Sequence, residues 1–273
     1  MDKIDGGNQE RRVSAGVIPL SSSGALSQGE HRADGVVLRR REPSPKSGEC
    51  LLFLRGMGAV WVGAPGSRNR FGGAAEPMTW SSFLLYQSPK RLYLKGADIA
   101  EDFWPVKSSG RTLFRAANWC KELAACLPMR YENDAVLSLF WGTMKNLSSG
   151  MSPILLDVRF AWRWGNIWGV APSLEHCPIC GAPLFADGAR EISRAPDGFV
   201  CEKCAPRRAR LQGERLEPVS PVAFGVITSA ALRPAERFVR SEPEMRALYK
   251  ADSSLAKETE TIISWFYSFV RTI

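Results

Sequence analysis

Residues 176–204 read HCPICGAPLFADGAREISRAPDGFVCEKC, and the four cysteines of this stretch, Cys177, Cys180, Cys201 and Cys204, stand as two C-x2-C pairs. Turn residues flank both pairs, with Pro178 and Gly181 around the first and Gly198 ahead of the second, so the two thiolates of one turn can face one ion from the same side. Four thiolates complete a tetrahedral zinc site and leave no position for water or substrate, which predicts a structural metal. Two disulfides or four unrelated buried thiols are the alternatives. His176 adjoins the first ligand, but four sulfurs already fill the site, so it reads as a neighbour or a surface residue.

N-terminal to this stretch the pattern divides in two. From Gly35 the chain runs in short β-like pieces, Gly35 to Arg41, Cys50 to Arg55, Ala59 to Gly63, Ser82 to Gln87 and Arg91 to Lys95, with turn signals between them. Five short strands without a helical period predict a small barrel. The charge in this region suggests an OB-fold, although periodicity equally allows an SH3-like barrel. After Pro105 apolar residues recur at three- and four-residue steps, first Leu113, Ala117, Cys120, Ala124 and Leu127, then Val136, Leu139, Phe140, Met144 and Leu147. Ser152 as N-cap and Pro153 at N1 open a third helix, ended by Gly165 and Gly169.

Beyond the cysteines, Ser220 and Pro221 open a helix to about Leu232, and a last one runs from Ser253 to Arg271 with Leu255, Thr259, Ile262, Phe266 and Phe269 on one face. Trp119, Trp141, Trp162, Trp164, Trp168 and Trp265 crowd this half at helical spacing and read as core. The expected fold is therefore an α+β multidomain chain. Residues 1–32 form a disordered tail or extension that holds His31, 33–105 an N-terminal five-stranded OB-fold β-barrel, and 106–273 an α-helical domain with an inserted four-cysteine zinc knuckle at 177–204.

Composition narrows the function. Of the net charge of +8, most lies between Val36 and Lys95, where ten Lys/Arg face only Glu42, Glu49 and Glu76. A basic small domain points to a polyanion, most often nucleic acid. The loop Gly63 to Gly73, GAPGSRNRFGG, carries Arg68 and Arg70 two apart, placed to straddle consecutive phosphates through their planar forks of donors. Phe71 beside them either stacks on a base or tucks back into the barrel. Arg207, Arg208 and Arg210, after the last cysteine, either extend a nucleic-acid path or cap the knuckle.

An enzyme needs an acid, base, nucleophile or open metal. The chain has no phosphate loop of the G-x-x-x-x-G-K-[ST] kind, no G-x-S-x-G elbow, and only two histidines. A non-enzymatic binder is expected, with a zinc-ribbon module for RNA or a protein partner and a metalloenzyme acting on nucleic acid as the alternatives. Seven cysteines, an odd number, suit a reducing cytoplasm. No apolar stretch approaches the about 18 residues of a membrane span.

Specific strings carry a resemblance. GVVLRRRE at 35–42, GAPGSRNRFGGAAEP at 63–77, LYLKGADIAEDF at 92–103, and the run from Phe160 through Gly169, Pro172, HCPICG and DGFVCEKC resemble the bacterial recombination mediator RecO family over about residues 33–271. The resemblance implies an OB-fold that binds single- and double-stranded DNA and anneals complementary strands, in the RecF pathway of recombinational repair. It also implies RecR and single-stranded-DNA-binding protein as partners, RecA as the recombinase it helps to load, and a place in the cytoplasm at the nucleoid. Arg68 and Arg70 match basic positions of the family's third-strand loop, whereas Pro65 and Gly66 stand where many members are basic. DNA contacts are accordingly expected also from Arg39, Arg40, Arg91 and Lys95. Some members lack the cysteines, which suits a structural metal.

Overall fold

The computed structural model describes residues 26–42, 47–66, 70–184, 191–213 and 215–272. Its N-terminal part is five strands, β1 (Gly29–Arg41), β2 (Glu49–Leu54), β3 (Gly58–Gly63), β4 (Trp80–Gln87) and β5 (Leu92–Glu101). They pair in the order β1-β2-β3-β5-β4, and β1 closes the ring by pairing with both β2 and β4. All five strands read from the pattern are present, but four are longer than expected. β1 starts at Gly29 because Gly29 to Asp34 pair with Gln87 to Ser82 of β4. His31, expected in a tail, is therefore a buried strand residue, with Nε2 2.7 Å from the carbonyl of Ser27.

β2 shows how the ring joins the rest of the molecule. Cys50, Leu52 and Leu54 point into the ring, where they meet Val37, Val60, Val62, Phe83, Leu85 and Leu94. Leu51 and Phe53 point outward and belong to the core of the helical half, with Val36, Leu38, Ala59 and Trp80. Burial on both faces is the reason ECLLFL shows no polar alternation. A loop from the helical half also packs on β3. The backbone N–H of Arg130 donates to the carbonyl of Ala59 at 2.8 Å, and Gly58 has φ +70 with the carbonyl of Tyr131 where a Cβ would sit. Only glycine meets both demands.

Eight helices follow among the described residues: α1 (Trp104–Lys107), α2 (Gly110–Cys126), α3 (Asp134–Ser148), α4 (Pro153–Ile167), α5 (Ala205–Gln212), α6 (Pro221–Leu232), α7 (Ala235–Ala251) and α8 (Ser253–Arg271). A small sheet, β6 (Ile192–Ala195), β7 (Gly198–Cys201) and β8 (Glu217–Val219), stands between α4 and α6 in the order β7-β6-β8. Ser220 caps α6 as its sequence suggests, accepting from the N–H of Ala223 at 3.2 Å. Ser152 occupies the N-cap of α4, but its hydroxyl makes no capping bond, and its N–H donates instead to Glu242 at 2.7 Å. Gly165 lies inside α4, and the chain turns at Gly169. α7 has no counterpart among the helices expected from the sequence, since Pro243 and a dense set of charges hide its period. No helix among the described residues is long and apolar enough to cross a membrane.

One buried carboxylate ties three helices together. Asp157 of α4 accepts from Trp119 of α2 at 2.7 Å and from Tyr267 of α8 at 2.6 Å, and pairs with Arg115 of α2. Arg115 also pairs with Glu260 of α8. Burial, and then the Asp157 carboxylate, hold the Tyr267 phenol well above its ordinary pKa, so it stays a donor. A buried charge is tolerable only when it is paired and hydrogen-bonded in this way.

Candidate metal centre and nucleic-acid interface

Two short turns bring the cysteines together. At the first, the N–H of Gly181 donates to the carbonyl of Cys177 at 2.9 Å, the N–H of Cys177 to the carbonyl of Ala182 at 2.8 Å, and Gly181 takes φ +70 to close the turn. At the second, Cys201 ends β7 and Cys204 precedes α5, with the N–H of Cys204 donating to the carbonyl of Cys201 at 3.0 Å. All four Sγ atoms lie within 4.8 Å of one another. Cys180 and Cys201 have their sulfurs 3.7 Å apart. Tetrahedral zinc with Zn–S of about 2.3 Å sets its sulfurs about 3.8 Å apart, so the donor set fits one ion.

Two thiols of the cluster are shifted in opposite directions. Burial pushes the Cys177 thiol up, but backbone hydrogen bonds at Cys201, Cys180 and Ile179 outweigh it and bring the group down to about 7. Cys204 is pushed up to about 12 by burial first, then by hydrogen bonds with Cys180 and Cys201 and repulsion from neighbouring thiolates. Four negative sulfurs in one space repel, and a dication is the partner that relieves them. His176 is exposed and lies outside the cluster.

The expected DNA contacts fall into different environments. Arg39 is exposed on β1, just past a bulge between Val37 and Arg39. Arg40 is largely covered and pairs with Glu76 at 2.5 Å, so its guanidinium already has a protein partner. Arg91 is exposed and pairs with Glu49 of β2 at 2.6 Å. Lys95 lies 5.3 Å from the ring centre of Tyr86. Arg70 lies 5.1 Å from that of Phe71, and Phe71 itself packs against the ring interior, the second of its two readings. Arg68 lies outside the described residues.

Register reveals aromatic residues that the sequence pattern alone does not single out. One rung runs Arg41, Glu49, Gly63, Tyr93 and Tyr86 around the ring. Leu92, Leu94 and Leu85 point inward, so Tyr93 between the first two and Tyr86 next to the third point outward. Tyr93 lies across Gly63, where a Cβ would be 2.9 Å from its Cδ1. Arg41 stacks over Trp61 with 4.4 Å to the ring centre. Cations and aromatic residues thus meet on the outside of the ring, with Tyr93 and Tyr86 on β5 and β4, and Trp61 of β3 partly buried against the helical core. Strand alternation in WVG and LYLK carries the signal, but it needs the closed register to join the two runs.

The helical half offers a groove of about 610 Å³ between the end of α3 and α7, floored by Met151, Val239 and Pro243 and edged by Arg246 and Lys250. Arg246 is held by Glu242 at 2.6 Å and by the carbonyl of Gly150 at 2.7 Å.

Residues 109–251, which include all four cysteines, match the family described as recombination protein O, C terminal. The chain is 26% identical to the DNA repair protein RecO of Syntrophus aciditrophicus over 88% of its own length and 90% of that protein. It is 28% identical to the DNA repair protein RecO of Thermobifida fusca over 64% of its length and 74% of the relative. The Listeria monocytogenes protein of the same name is 20% identical over 63% and 68% respectively. The family match takes in more than half of the chain, and the longest of these alignments is long enough to include the ring as well: the chain belongs to the RecO family.

Proposed function

We propose that this protein is a DNA repair and recombination mediator that binds DNA on the outside of the ring and pairs complementary strands. The observation that carries the reading is the outside of the ring, where Arg39, Arg41, Arg91 and Lys95 lie on the same strands as, or next to, Trp61, Tyr86 and Tyr93. Cations neutralise phosphates without regard to sequence, and aromatic faces stack any base. The closed five-stranded topology suits an OB-fold used in this way. Arg70 extends the basic surface into the loop after β3, Arg68 beside it in sequence is expected to act with it, and Arg40 would reach a phosphate only by giving up Glu76.

Family membership supports the rest of the reading: single- and double-stranded DNA as ligands, RecR and single-stranded-DNA-binding protein as partners, and assistance to RecA on coated strands in the cytoplasm at the nucleoid. The groove between α3 and α7, apolar with a cationic edge, has the chemistry to receive the acidic, aromatic-ended tail of the single-stranded-DNA-binding protein. Two other arginines of the helical half, Arg115 and Arg163, do not line this groove. Arg115 is locked to Asp157 and Glu260, and Arg163 donates to the carbonyl of Arg233 at 3.1 Å.

In this reading the metal is zinc. Cys177, Cys180, Cys201 and Cys204 hold it, and bound zinc supplies a crosslink between two turns rather than a reaction step. No residue is assigned a catalytic role. Pairing of two complementary strands is the test, measured with and without single-stranded-DNA-binding protein and without nucleotide. Acceleration of both is expected. A requirement for ATP, failure on coated strands to which the protein nonetheless binds, or preference for RNA would overturn the reading.

A further inference from the structure

The small sheet and α8 enclose a second pocket, of about 480 Å³, that neither the metal cluster nor the ring uses. Arg194 of β6, Arg215 just before β8, and Arg271 of α8 line it, together with Ser264 and Trp265 of α8. Glu217 is the one acid among the lining residues, and its side chain is half exposed. Two of the three guanidiniums are fixed in advance. Arg194 lies 5.7 Å from the ring centre of Trp265, donates to the carbonyl of Thr261 at 3.2 Å and pairs with Glu217. Arg271 is gripped from behind by Glu122, which is not a lining residue, through bonds of 2.6 and 2.9 Å. Arg215 is exposed.

Arg194 and Arg271 each keep N–H groups beyond those their protein partners take, and with Arg215 three cations stand against Glu217 among the lining residues. A phosphomonoester carries about −1.5 to −2 charges and three strong acceptor oxygens, which suits three cations set against one carboxylate and the N–H groups their protein partners leave over. Fixed guanidiniums lose little freedom on binding it, and burial beside an indole strengthens the attraction. Arg207 and Arg210 of α5, a few residues before Arg215 in the chain, are exposed. Further cations so near in sequence favour a phosphate carried on a polyanion over a free one.

We infer that this pocket takes the 5′-terminal phosphomonoester of a nucleic-acid strand, an assignment that rests on the DNA-binding reading above but concerns a different surface. The full-length protein is titrated with two otherwise identical oligothymidylates, one ending in a 5′-phosphate and one in a 5′-hydroxyl. The phosphorylated strand is expected to bind about ten-fold more tightly, the usual effect of a hydrogen-bonded charge. Arg215→Glu removes the preference and leaves affinity for the hydroxyl-ended strand nearly unchanged; inorganic phosphate in excess also erases it. Ser264→Asp, on the opposite wall of the pocket, gives the same result without touching a guanidinium. Equal affinity for the two strands overturns the inference, as does a preference that survives both substitutions. Protection of the fold by inorganic phosphate with no strand preference overturns the strand-end assignment. Absence of binding to the hydroxyl-ended strand counts against the reading of the ring alone, provided the phosphorylated strand still binds.

Discussion

The ring and the small sheet both lean on the helical core, yet they hold their shape by different means. The ring has strands of 6 to 13 residues, closes on itself, and encloses side chains of its own such as Val37, Leu52, Phe83 and Leu94. Strands of four, four and three residues make up the small sheet, and they enclose no core of their own. Its inward side chains belong to someone else's core: Phe199 packs edge-on against Phe224 at 5.0 Å and Trp265 at 4.9 Å. Cys201 ends β7, and it and the three other cysteines could hold one metal ion there. A crosslink matters most to a β unit too small to bury its own core, so the two units should differ in what a metal does for them.

The largest effect that tests this contrast is loss of the metal. Structural zinc contributes roughly 10–16 kcal/mol of gross binding in small modules. One zinc per chain is expected by metal analysis, and Cys201→Ser or chelation should abolish amide protection in β6, β7 and β8 while β1 to β5 keep theirs. Equal loss in both regions, or protein that is stable and metal-free, would break the comparison.

Next in size are the anchors of the helical half. Phe199→Ala should cost about 3–5 kcal/mol, because the side chain is fully buried among aromatics. Asp157→Ala should cost about 3–5 kcal/mol by leaving Arg115 without its buried partner. Denaturant unfolding of each variant checks both, and the small sheet should weaken with Phe199→Ala more than the ring does. If the ring lost protection first, its independence would be in doubt.

On the ring, Arg39→Glu, Arg91→Glu and Lys95→Glu together should lower affinity for every strand sequence alike and flatten the salt dependence by about 0.7 for each phosphate no longer neutralised. Stability should move within about 0.5 kcal/mol, since these are surface positions. Tyr93→Ala should cost about 1–3 kcal/mol of strand affinity with the salt dependence unchanged, which separates stacking from charge. The smallest effect expected is that of Arg208→Ala. Its 2.6 Å pair with Asp197, an exposed acid, is worth under about 1 kcal/mol to the small sheet. A larger drop in melting temperature would mean that side-chain pairs, and not the metal, hold this sheet.

Much of this was legible in the chain. The cysteine spacing gave the cluster, five β-like runs gave the five strands in order, and Ser220 with Pro221 marked the start of α6. Each of these is a local signal, carried within a few residues. Other features were obscured by local sequence: Pro243 masks α7, and the mixed polarity of Gly29 to Asp34 hides the first half of β1. The basic residues were found, but not their states, since nothing near Arg40 in sequence announces Glu76 and nothing near Arg91 announces Glu49.

By itself, then, the sequence determined which atoms can bind a metal, where strands and helices run, and that the N-terminal half is basic. Ligand chemistry and backbone periodicity depend on neighbours along the chain. Only the tertiary structure decided that β2 is buried on both faces, that Arg115 serves Asp157 rather than a partner, that Trp61, Tyr93 and Tyr86 share one outer surface with Lys95, and that Arg194, Arg215 and Arg271 meet in one pocket. Those arrangements join residues far apart in the chain, and they exist only once the ring has closed and the helices have packed.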